Sequence, residues 1–337
     1  MPTIHDVAAY AKVSASTVSH VINNTRFVST ETRARVLEAI EALGYKPNIL
    51  ARSLRRQETA TIGLVVPDNS NPFFAAVARA IEDAGFAEGY NVILCNSDNS
   101  ETKEAAYIDV LVAKQVDGLI LSPWQDHPSS LEKILEARLP VVAIDRVAND
   151  LPIDQVLVDN EQGGYLAGQY LVQLGHRRIG CIAPPPESLH SAGNRIIGFR
   201  RALAEAGVEL NEEAVISSDF RYSGGEAAMC ELLKRNLDLT AVFTANDLMA
   251  AGAIQALRRA QLQVPEDISI IGFDYSLQAM ITIPLLTTIA QPITELGRVC
   301  VSLLLKRIKE PATLPSRVLL PTQLIEQESC RAVMTVV

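Results

Sequence analysis

Apolar side chains near the start of the chain recur at intervals of three and four residues, which predicts amphipathic helices. The first helix covers residues 4–11, with Thr3 and Asp6 in a capping-box arrangement, and a tight turn follows. The second helix begins at Ser14 or Ala15. Its apolar stripe consists of Val18, Val21 and Ile22.

A third helix is predicted between Ser29 and Gly44, where a capping residue and a helix-stopping glycine enclose an apolar stripe. The stripe consists of Val36, Leu37, Ile40 and Leu43. Three short helices with a tight first turn are typical of a helix-turn-helix. The exposed face of the second helix is polar and short-chained, which suits the DNA major groove, but a helical cap without a ligand has the same pattern.

From residue 61 onward the pattern changes to short β-rich apolar runs separated by helical stretches. Nearly continuous apolar strands between helices predict parallel sheets covered on both faces, an α/β doubly wound architecture. The predicted strands are TIGLVV, NVILCN, GLILS, VVAID, QVLVD, RIGCIA, AVFTA and SIIGF.

Polar residues follow several of these strands, at the edge where α/β sheets bind ligands. They are Asn69–Phe74, Asp145–Arg146, Asn246–Asp247, Phe273–Asp274 and Ala290–Gln291, with Arg195 on a helix between them. Aromatic faces pack on the C–H surface of a sugar ring, and carboxylate, amide and guanidinium groups discriminate its hydroxyls. The inventory therefore favours a sugar site.

Charge is distributed unevenly along the 337 residues, whose formal net charge is −9. Residues 1–60 carry eight basic and five acidic side chains, a balance of +3, so the remainder carries −12. A basic head on an acidic body indicates that only the head approaches a polyanion.

Several classes of protein are excluded by composition and motif content. The chain has no apolar run of about 18 residues and no secretion signal, so we expect a cytoplasmic protein that neither spans a membrane nor serves as a secreted transport receptor. The five cysteines lie far apart without metal-ligand spacing, so we expect buried free thiols, no metal and no cofactor.

An enzyme is not expected. Asp145 and Asp274 are candidate paired carboxylates for glycoside chemistry, but each lies where a hydroxyl-binding group is predicted. The sequence also lacks a nucleophile elbow, a phosphate-cradling glycine loop and a metal-ligand cluster.

Beyond these patterns, the chain closely resembles the lactose/galactose repressor family of bacterial transcription regulators. The resemblance is carried by IHDVAAYAKVSASTVSHVIN, FVSTETRARVLEAIEALGYKPNILARSL, NPFF, VDGLIL, GHRRIG, AVFTANDLMAAGA, VPEDISIIGFD and LTTIAQP. It implies a helix-turn-helix head over residues 1–45, a hinge helix and linker over 46–60, and a two-lobed effector-binding and dimerisation body over 61–330.

For the head, the resemblance implies a dimer on palindromic operator DNA. Ala15, Ser16 and His20 match the positions that choose operator bases in such repressors. The positions expected to hold mostly phosphates are Ser14, Thr17, Asn23 and Thr25. His20 is suited to a guanine edge, although a phosphate contact alone stays open.

For the hinge, the resemblance implies two short helices that pair in the minor groove and insert a leucine, here Leu54, between base pairs. Arg55 and its basic neighbours are expected to neutralise phosphates. A charged flexible linker is the alternative.

For the body, the resemblance extends to ribose-type periplasmic sugar-binding proteins. The positions that match the ribose-contacting pattern are Asn71, Phe73, Phe74, Asp145, Arg146, Arg195, Phe220, Asn246, Asp274 and Gln291. Phe73 and Phe220 are expected to sandwich the ring. Structural alternatives stay open: Phe74 in the core, Asp145–Arg146 as an ion pair, and Asn246–Asp247 as a helix cap.

Ribose or a related sugar such as fructose, psicose or allose is the predicted effector, and its closure of the cleft is expected to weaken DNA binding. The opposite sign, in which the ligand tightens DNA binding as it does in some similar repressors, stays open. The rival is a purine that acts as corepressor, because the head also resembles purine-responsive members of the family. The pocket of the purine-responsive members, however, lacks the arginine found here at the Asp145–Arg146 position. Those members also have an arginine that contacts the purine, and the segment ESLHSAGN before Arg195 does not reproduce it.

Overall fold

A computed structural model describes residues 2–45, 58–123, 129–146, 151–185 and 192–333. The chain divides into two compact units, Met1–Thr59 and Ala60–Val337, called here the head and the body.

Within residues 2–45, the head contains three helices, α1 (Ile4–Ala11), α2 (Ala15–Asn23) and α3 (Thr30–Leu43). Thr3, Ser14 and Ser29 cap their amino ends, as the sequence predicts. The helices enclose a small core that includes Val7, Val18, Val21, Val36 and Ala39.

One residue that was predicted to lie in the apolar stripe of the third helix does not face the core. Leu37 is 52% exposed, whereas Ala39 is fully buried. Position 39 lies three residues after Val36, so at 3.6 residues per turn it shares the inward face, and Leu37 lies about 100° away from that face. A small residue at position 39 lets α3 approach the other helices closely.

The body is built from twelve strands and nine α-helices in the described ranges. The strands are β1 (Thr61–Val66), β2 (Asn91–Asn96), β3 (Gly118–Leu121), β4 (Val141–Ile144), β5 (Asp154–Val158), β6 (Ile179–Ala183), β7 (Val215–Ser217), β8 (Ala241–Thr244), β9 (Ser269–Asp274), β10 (Thr288–Ala290), β11 (Arg317–Leu320) and β12 (Gln323–Ile325). The helices are α4 (Pro72–Ala87), α5 (Glu101–Ala113), α6 (Ser129–Glu136), α7 (Asn160–Gln173), α8 (Ala192–Glu205), α9 (Tyr222–Lys234), α10 (Asp247–Arg259), α11 (Leu277–Ile281) and α12 (Ile293–Lys309).

The strands form two six-stranded sheets, which define two lobes of the body. The first-lobe sheet has the order β11-β5-β4-β3-β1-β2, and all its pairs are parallel. Ile62 and Leu64 of β1 pack with α4 and α12 on one face, whereas Val65 packs with α5 and α6 on the other. Burial on both faces explains why these strands read as continuous apolar runs.

The second-lobe sheet has the order β12-β10-β9-β8-β6-β7. Its pairs are parallel except β10 with β12, which is antiparallel. α7 and α8 cover one face and α9 and α10 the other. The eight predicted strands are present, and the predicted α/β doubly wound body is confirmed.

Four short strands were not predicted. They are β7, β10, β11 and β12, each three or four residues long. β7, β11 and β12 lie at sheet edges, where one partner strand is enough to define them. Because an edge strand is covered less completely, its sequence carries less of the apolar signal that identifies central strands.

The cysteine prediction needs one correction. Cys95, Cys181 and Cys300 are buried free thiols and Cys330 is partly buried, but Cys230 is exposed. In the ranges that the structure describes, no helix is long and apolar enough to cross a membrane, and no group of three metal-ligating side chains comes together.

Candidate functional site

A cleft in the body has a volume of about 550 Å³ and lies beyond the carboxyl ends of strands from both sheets. Nine of the ten predicted effector residues line it: Asn71, Phe73, Phe74, Asp145, Arg146, Arg195, Phe220, Asn246 and Asp274. The chain therefore brings together residues more than 200 positions apart.

Arg195 and Asp274 form a buried ion pair at the cleft, each 4% exposed. Arg195 Nη1 lies 3.3 Å from Asp274 Oδ1 and donates to the Ala245 carbonyl at 2.5 Å. The guanidinium also stacks on the Phe273 ring, with Cζ 3.8 Å from the ring centroid. These contacts hold the guanidinium in one orientation toward the cleft.

Gln291 is the tenth predicted residue, and it does not line the cleft wall. Its Nε2 donates to Asp274 Oδ1 at 2.7 Å from behind the carboxylate. Asp274 Oδ1 thus accepts from two protein donors, Arg195 and Gln291. Gln291 is a support for Asp274 in this structure rather than a direct wall residue.

Asp145 and Arg146 face the second-lobe pair from the first lobe. Burial raises the pKa of Asp145, and the positive charges of Arg146 and Arg195 oppose that shift. Burial likewise raises the pKa of Asp274, and the positive charge of Arg195 opposes that shift. Arg146 donates to the Pro123 carbonyl at 3.1 Å and to Asn99 Oδ1 at 3.0 Å, so its head group is held at the cleft.

Three cleft residues have backbone conformations that side-chain-bearing residues rarely adopt. The φ angles of Asp145, Phe220 and Asp274 are 64°, 65° and 117°. Strained backbone persists where the surrounding structure enforces it, and it concentrates at functional sites. All three residues line the cleft.

The aromatic side chains differ in accessibility. Phe73 is 4% exposed and belongs to the first-lobe core, while Phe74 is partly buried and packs edge-on against it, with ring centroids 5.0 Å apart. Phe220 is partly buried in the second lobe. Phe74 therefore presents more ring surface to a ligand than Phe73 does.

Two predicted amides also act as helix caps. Asn71 Oδ1 accepts from the Phe73 amide at 3.0 Å, and Asn246 Oδ1 accepts from the Met249 amide at 2.9 Å. Asn246 Nδ2 donates to the Phe220 carbonyl at 3.0 Å, which fixes that aromatic residue beside α10. The capping alternative for Asn246 is thus present together with a place in the cleft wall.

Sequence reasoning missed several cleft residues. They are Pro67, Asp68, Asn99, Pro185, Ala192, Asp219, Arg221 and Leu248, whereas Ser70 falls within the predicted segment Asn69–Phe74. Pro67, Asp68 and Asn99 follow β1 and β2, so the rule that polar residues at strand ends form the site would have found two of them. Asp219 and Arg221 follow β7, a strand that the sequence pattern does not show.

The head has its own polar groove around the start of α2. It is lined by Val13, Ser14, Ser16, Thr17, His20, Arg26, Phe27, Val28, Thr32 and Arg35. Four predicted DNA contacts lie here, together with two arginines and with Phe27, whose side chain is 96% exposed. A short-chained polar groove with basic flanks is the form of a DNA-contacting surface.

The remaining predicted head residues lie around this groove. His20 Nδ1 lies 2.9 Å from Thr25 Oγ1, so Thr25 contacts the predicted base-reading side chain. Asn23 Nδ2 donates to the Ser19 carbonyl at 2.8 Å, and Ala15 packs partly against the head core. Leu54 and Arg55 lie outside the described residues.

Sequence comparison matches two family models to the chain. Residues 3–48 match the bacterial regulatory proteins of the lacI family, and residues 59–328 match the periplasmic binding proteins and sugar binding domain of the LacI family. The chain belongs to the LacI family. It is a DNA-binding transcription regulator, and the prediction of a regulator rather than an enzyme is confirmed by its repressor relatives.

Three proteins to which this LacI-family chain is similar show how varied its relatives are. The HTH-type transcriptional repressor PurR of Photorhabdus laumondii subsp. laumondii is 44% identical over 91% of each chain. A LacI family regulator from Enterococcus faecium, solved with bound ribose, is 35% identical with a TM-score of 0.74, over 81% of this chain and all of that one. The lac repressor dimer bound to operator and an anti-inducer is 28% identical with a TM-score of 0.87, over 98% and 99% of the two chains.

Proposed function

We propose that this LacI-family protein is a dimeric repressor that binds a palindromic operator and responds to a small sugar, ribose or a close relative, in the body cleft. One observation supports a sugar as the effector. Each lobe contributes one carboxylate and one guanidinium to the same cavity, Asp145 with Arg146 from the first lobe and Asp274 with Arg195 from the second.

Each sugar hydroxyl both donates and accepts a hydrogen bond, so a polyol needs acceptors and donors on all sides. Carboxylates supply acceptors and guanidiniums supply donors from both lobes, while Phe74 and Phe220 offer apolar faces for the ring. Two carboxylates at the site disfavour a sugar phosphate. The ribose-bound relative from Enterococcus faecium supports the same class.

A purine is the second candidate, because PurR relatives are 41–44% identical to this chain. A flat base suits the aromatic side chains, but its edge has fewer groups to satisfy two carboxylates and two guanidiniums. The charge inventory of the cleft therefore favours the sugar.

We propose that sugar binding draws the lobes together and weakens operator binding through a shift between two populated states. Such a shift requires that the two states differ in sugar affinity. In the head, Ser16 and His20 in the polar groove read base edges, while Ser14 and Thr17 of the groove and the neighbouring Thr25 bind phosphates. Outside the described residues, Leu54 and Arg55 complete the operator contact.

The dimer face that we propose includes α11 and the turn after it. Leu277, Met280, Ile281 and Ile283 are 57%, 50%, 62% and 92% exposed. Apolar side chains clustered on a surface mark an interaction site. A second copy of this chain is the proposed occupant, in keeping with the lac repressor dimer.

The test is a thermal-shift panel on the purified protein with ribose, fructose, psicose, allose, hypoxanthine and guanine, because a ligand that binds only the folded state raises Tm. We expect a free sugar to raise Tm in the wild type and not in Arg146→Ala, which leaves operator binding intact. Arg298→Ala, at an exposed ion pair with Glu295, is the matched control and keeps the response. Stabilisation by a purine alone contradicts the sugar proposal.

A further inference from the structure

The chain passes between the two lobes three times in the ranges that the structure describes. β5 of the first lobe leads through Asp159 into α7 of the second, β10 leads through Gln291 and Pro292 into α12, and β11 leads through Pro321 and Thr322 into β12. Any change in the angle between the lobes must bend these crossovers.

Asn160, the first residue of α7, lies at the first crossover and is 5% exposed. Its Oδ1 accepts from Arg195 Nε at 2.7 Å, and its Nδ2 donates to the Val158 carbonyl at 3.2 Å. Because a guanidinium only donates and a carbonyl only accepts, these two partners fix the orientation of the amide. One side chain thus joins the cleft arginine to the last residue of β5.

The same arginine reaches the second crossover. Arg195 Nη1 bonds Asp274 Oδ1, and that oxygen accepts from Gln291 Nε2, in the residue that follows β10. The first crossover is tied to the third as well, because the Asp159 amide donates to the Leu320 carbonyl at the end of β11 at 2.9 Å. Arg195 therefore lies at the centre of a buried chain of bonds between the cleft and the crossovers.

Close packing between α7 and α8 places Asn160 beside Arg195. Gly163 and Gly164 of α7 leave room for the Phe273 ring and the Arg195 backbone, where added Cβ atoms would lie 2.7 Å and 1.8 Å from their neighbours. The amino end of α7 therefore packs directly against the residue whose guanidinium enters the cleft.

Resting on the proposed function, we propose that Asn160 is a positioning residue that couples effector binding to the bend between the lobes. Its Oδ1 holds Arg195 toward the ligand, and its Nδ2 holds the end of β5. When a ligand pulls on the Arg195 guanidinium, the strain passes through the amide to the first crossover. Asn160 then affects two measurable quantities, sugar affinity and the response of operator affinity to sugar.

The variant Asn160→Asp separates the two contacts. An aspartate still accepts from Arg195, but its second oxygen faces the Val158 carbonyl without a proton between them. We expect ribose affinity, measured by calorimetry, to stay within about fivefold of the wild type. The ratio of operator affinities without and with saturating ribose, which is about 5 to 150 in allosteric systems, should fall about tenfold or to one.

Two further variants frame this result. Asn160→Ala removes both contacts and is expected to weaken ribose binding more than tenfold and to lose the operator response. Asn211→Asp makes the same chemical change at an exposed second-lobe residue that caps a short 3-10 turn, and it should behave as the wild type. Operator binding by fluorescence anisotropy is measured for all four proteins.

The proposal is overturned if the ratio of operator affinities without and with ribose is the same in Asn160→Asp as in the wild type. Loss of ribose binding in that variant overturns it as well. Lack of any wild-type response to ribose counts against the proposed function instead. In that case, hydrogen exchange of the ligand-free protein tests the role of Asn160 at the first crossover. Asn160→Asp should speed exchange of the Asp159 amide at least tenfold. An unchanged exchange rate overturns that role.

Discussion

Gly164 lies against the backbone of Arg195 so closely that a Cβ on the glycine would stand 1.8 Å from the Arg195 carbonyl oxygen. Gly198 of the same helix pair lies equally close to the Glu161 carbonyl. The position of Arg195 in the cleft therefore depends on helix contacts that only glycine permits.

Gly164→Ala is expected to destabilise the body by about 2 kcal/mol or more, because α7 and α8 must separate to admit the methyl group. Displacement of Arg195 should also weaken sugar binding. Urea unfolding and calorimetry measure the two effects.

Gly207→Ala is the control for that change. Gly207 has open space around it and a φ of 67°, so alanine there adds backbone strain of about 1 kcal/mol without a steric clash. Equal losses of sugar affinity in both variants would contradict the packing argument.

Thr25→Val is expected to lower specific operator affinity about tenfold, because valine keeps the shape of threonine but loses the hydroxyl 2.9 Å from His20 Nδ1. We expect that contact to orient His20 Nε2 toward a base edge. Affinity for nonspecific DNA should change little, since phosphate contacts supply it. Fluorescence anisotropy on both DNAs tests this, with Thr25→Ser as the variant that keeps the hydroxyl; a parallel loss on both DNAs would assign Thr25 to phosphate binding.

Acidification is expected to destabilise the body through His176. The ring is 2% exposed and contacts Thr240 Oγ1 and the Arg331 carbonyl, and burial lowers its pKa below the ordinary 6.5. The unfolded chain therefore binds a proton near pH 6.5 that the folded protein does not. The contribution of His176 to stability is complete above that pH and is lost as the pH falls below it.

We expect the free energy of unfolding to decrease between pH 7.5 and pH 5.5 by up to about 1.4 kcal/mol per pH unit from this group. In His176→Gln that part of the slope disappears, although the variant is less stable at neutral pH. Denaturant titrations across this range compare the two proteins, and identical slopes would show that another group carries the effect.

Ile281→Asp is expected to convert the dimer to a monomer, because a carboxylate in the apolar α11 face must be desolvated without a partner. Operator affinity should fall as well, since a palindrome requires two heads. Size-exclusion chromatography with light scattering measures the mass. Leu314→Asp, at another apolar residue that is 87% exposed, is the control and should remain dimeric; a dimeric Ile281→Asp would exclude this face.

The sequence by itself determined much of the local structure. The capping residues Thr3, Ser14 and Ser29 define the starts of the head helices, because a cap and an apolar stripe are local signals. Buried central strands such as β1 and β9 were equally clear, since both their faces are covered by helices. Residues at the ends of strands pointed to about half of the cleft wall.

Only the tertiary structure decided how these residues act together. Asn160 lies just beyond the end of a strand as Asp145 does, but its contact with Arg195 depends on how α7 packs on α8. Gln291 lies behind Asp274 rather than in the cleft wall, and Phe73 lies deeper in the core than Phe74. Periodicity along a chain reports which face of one element is buried, whereas these relations arise from the distances between elements that are far apart in sequence.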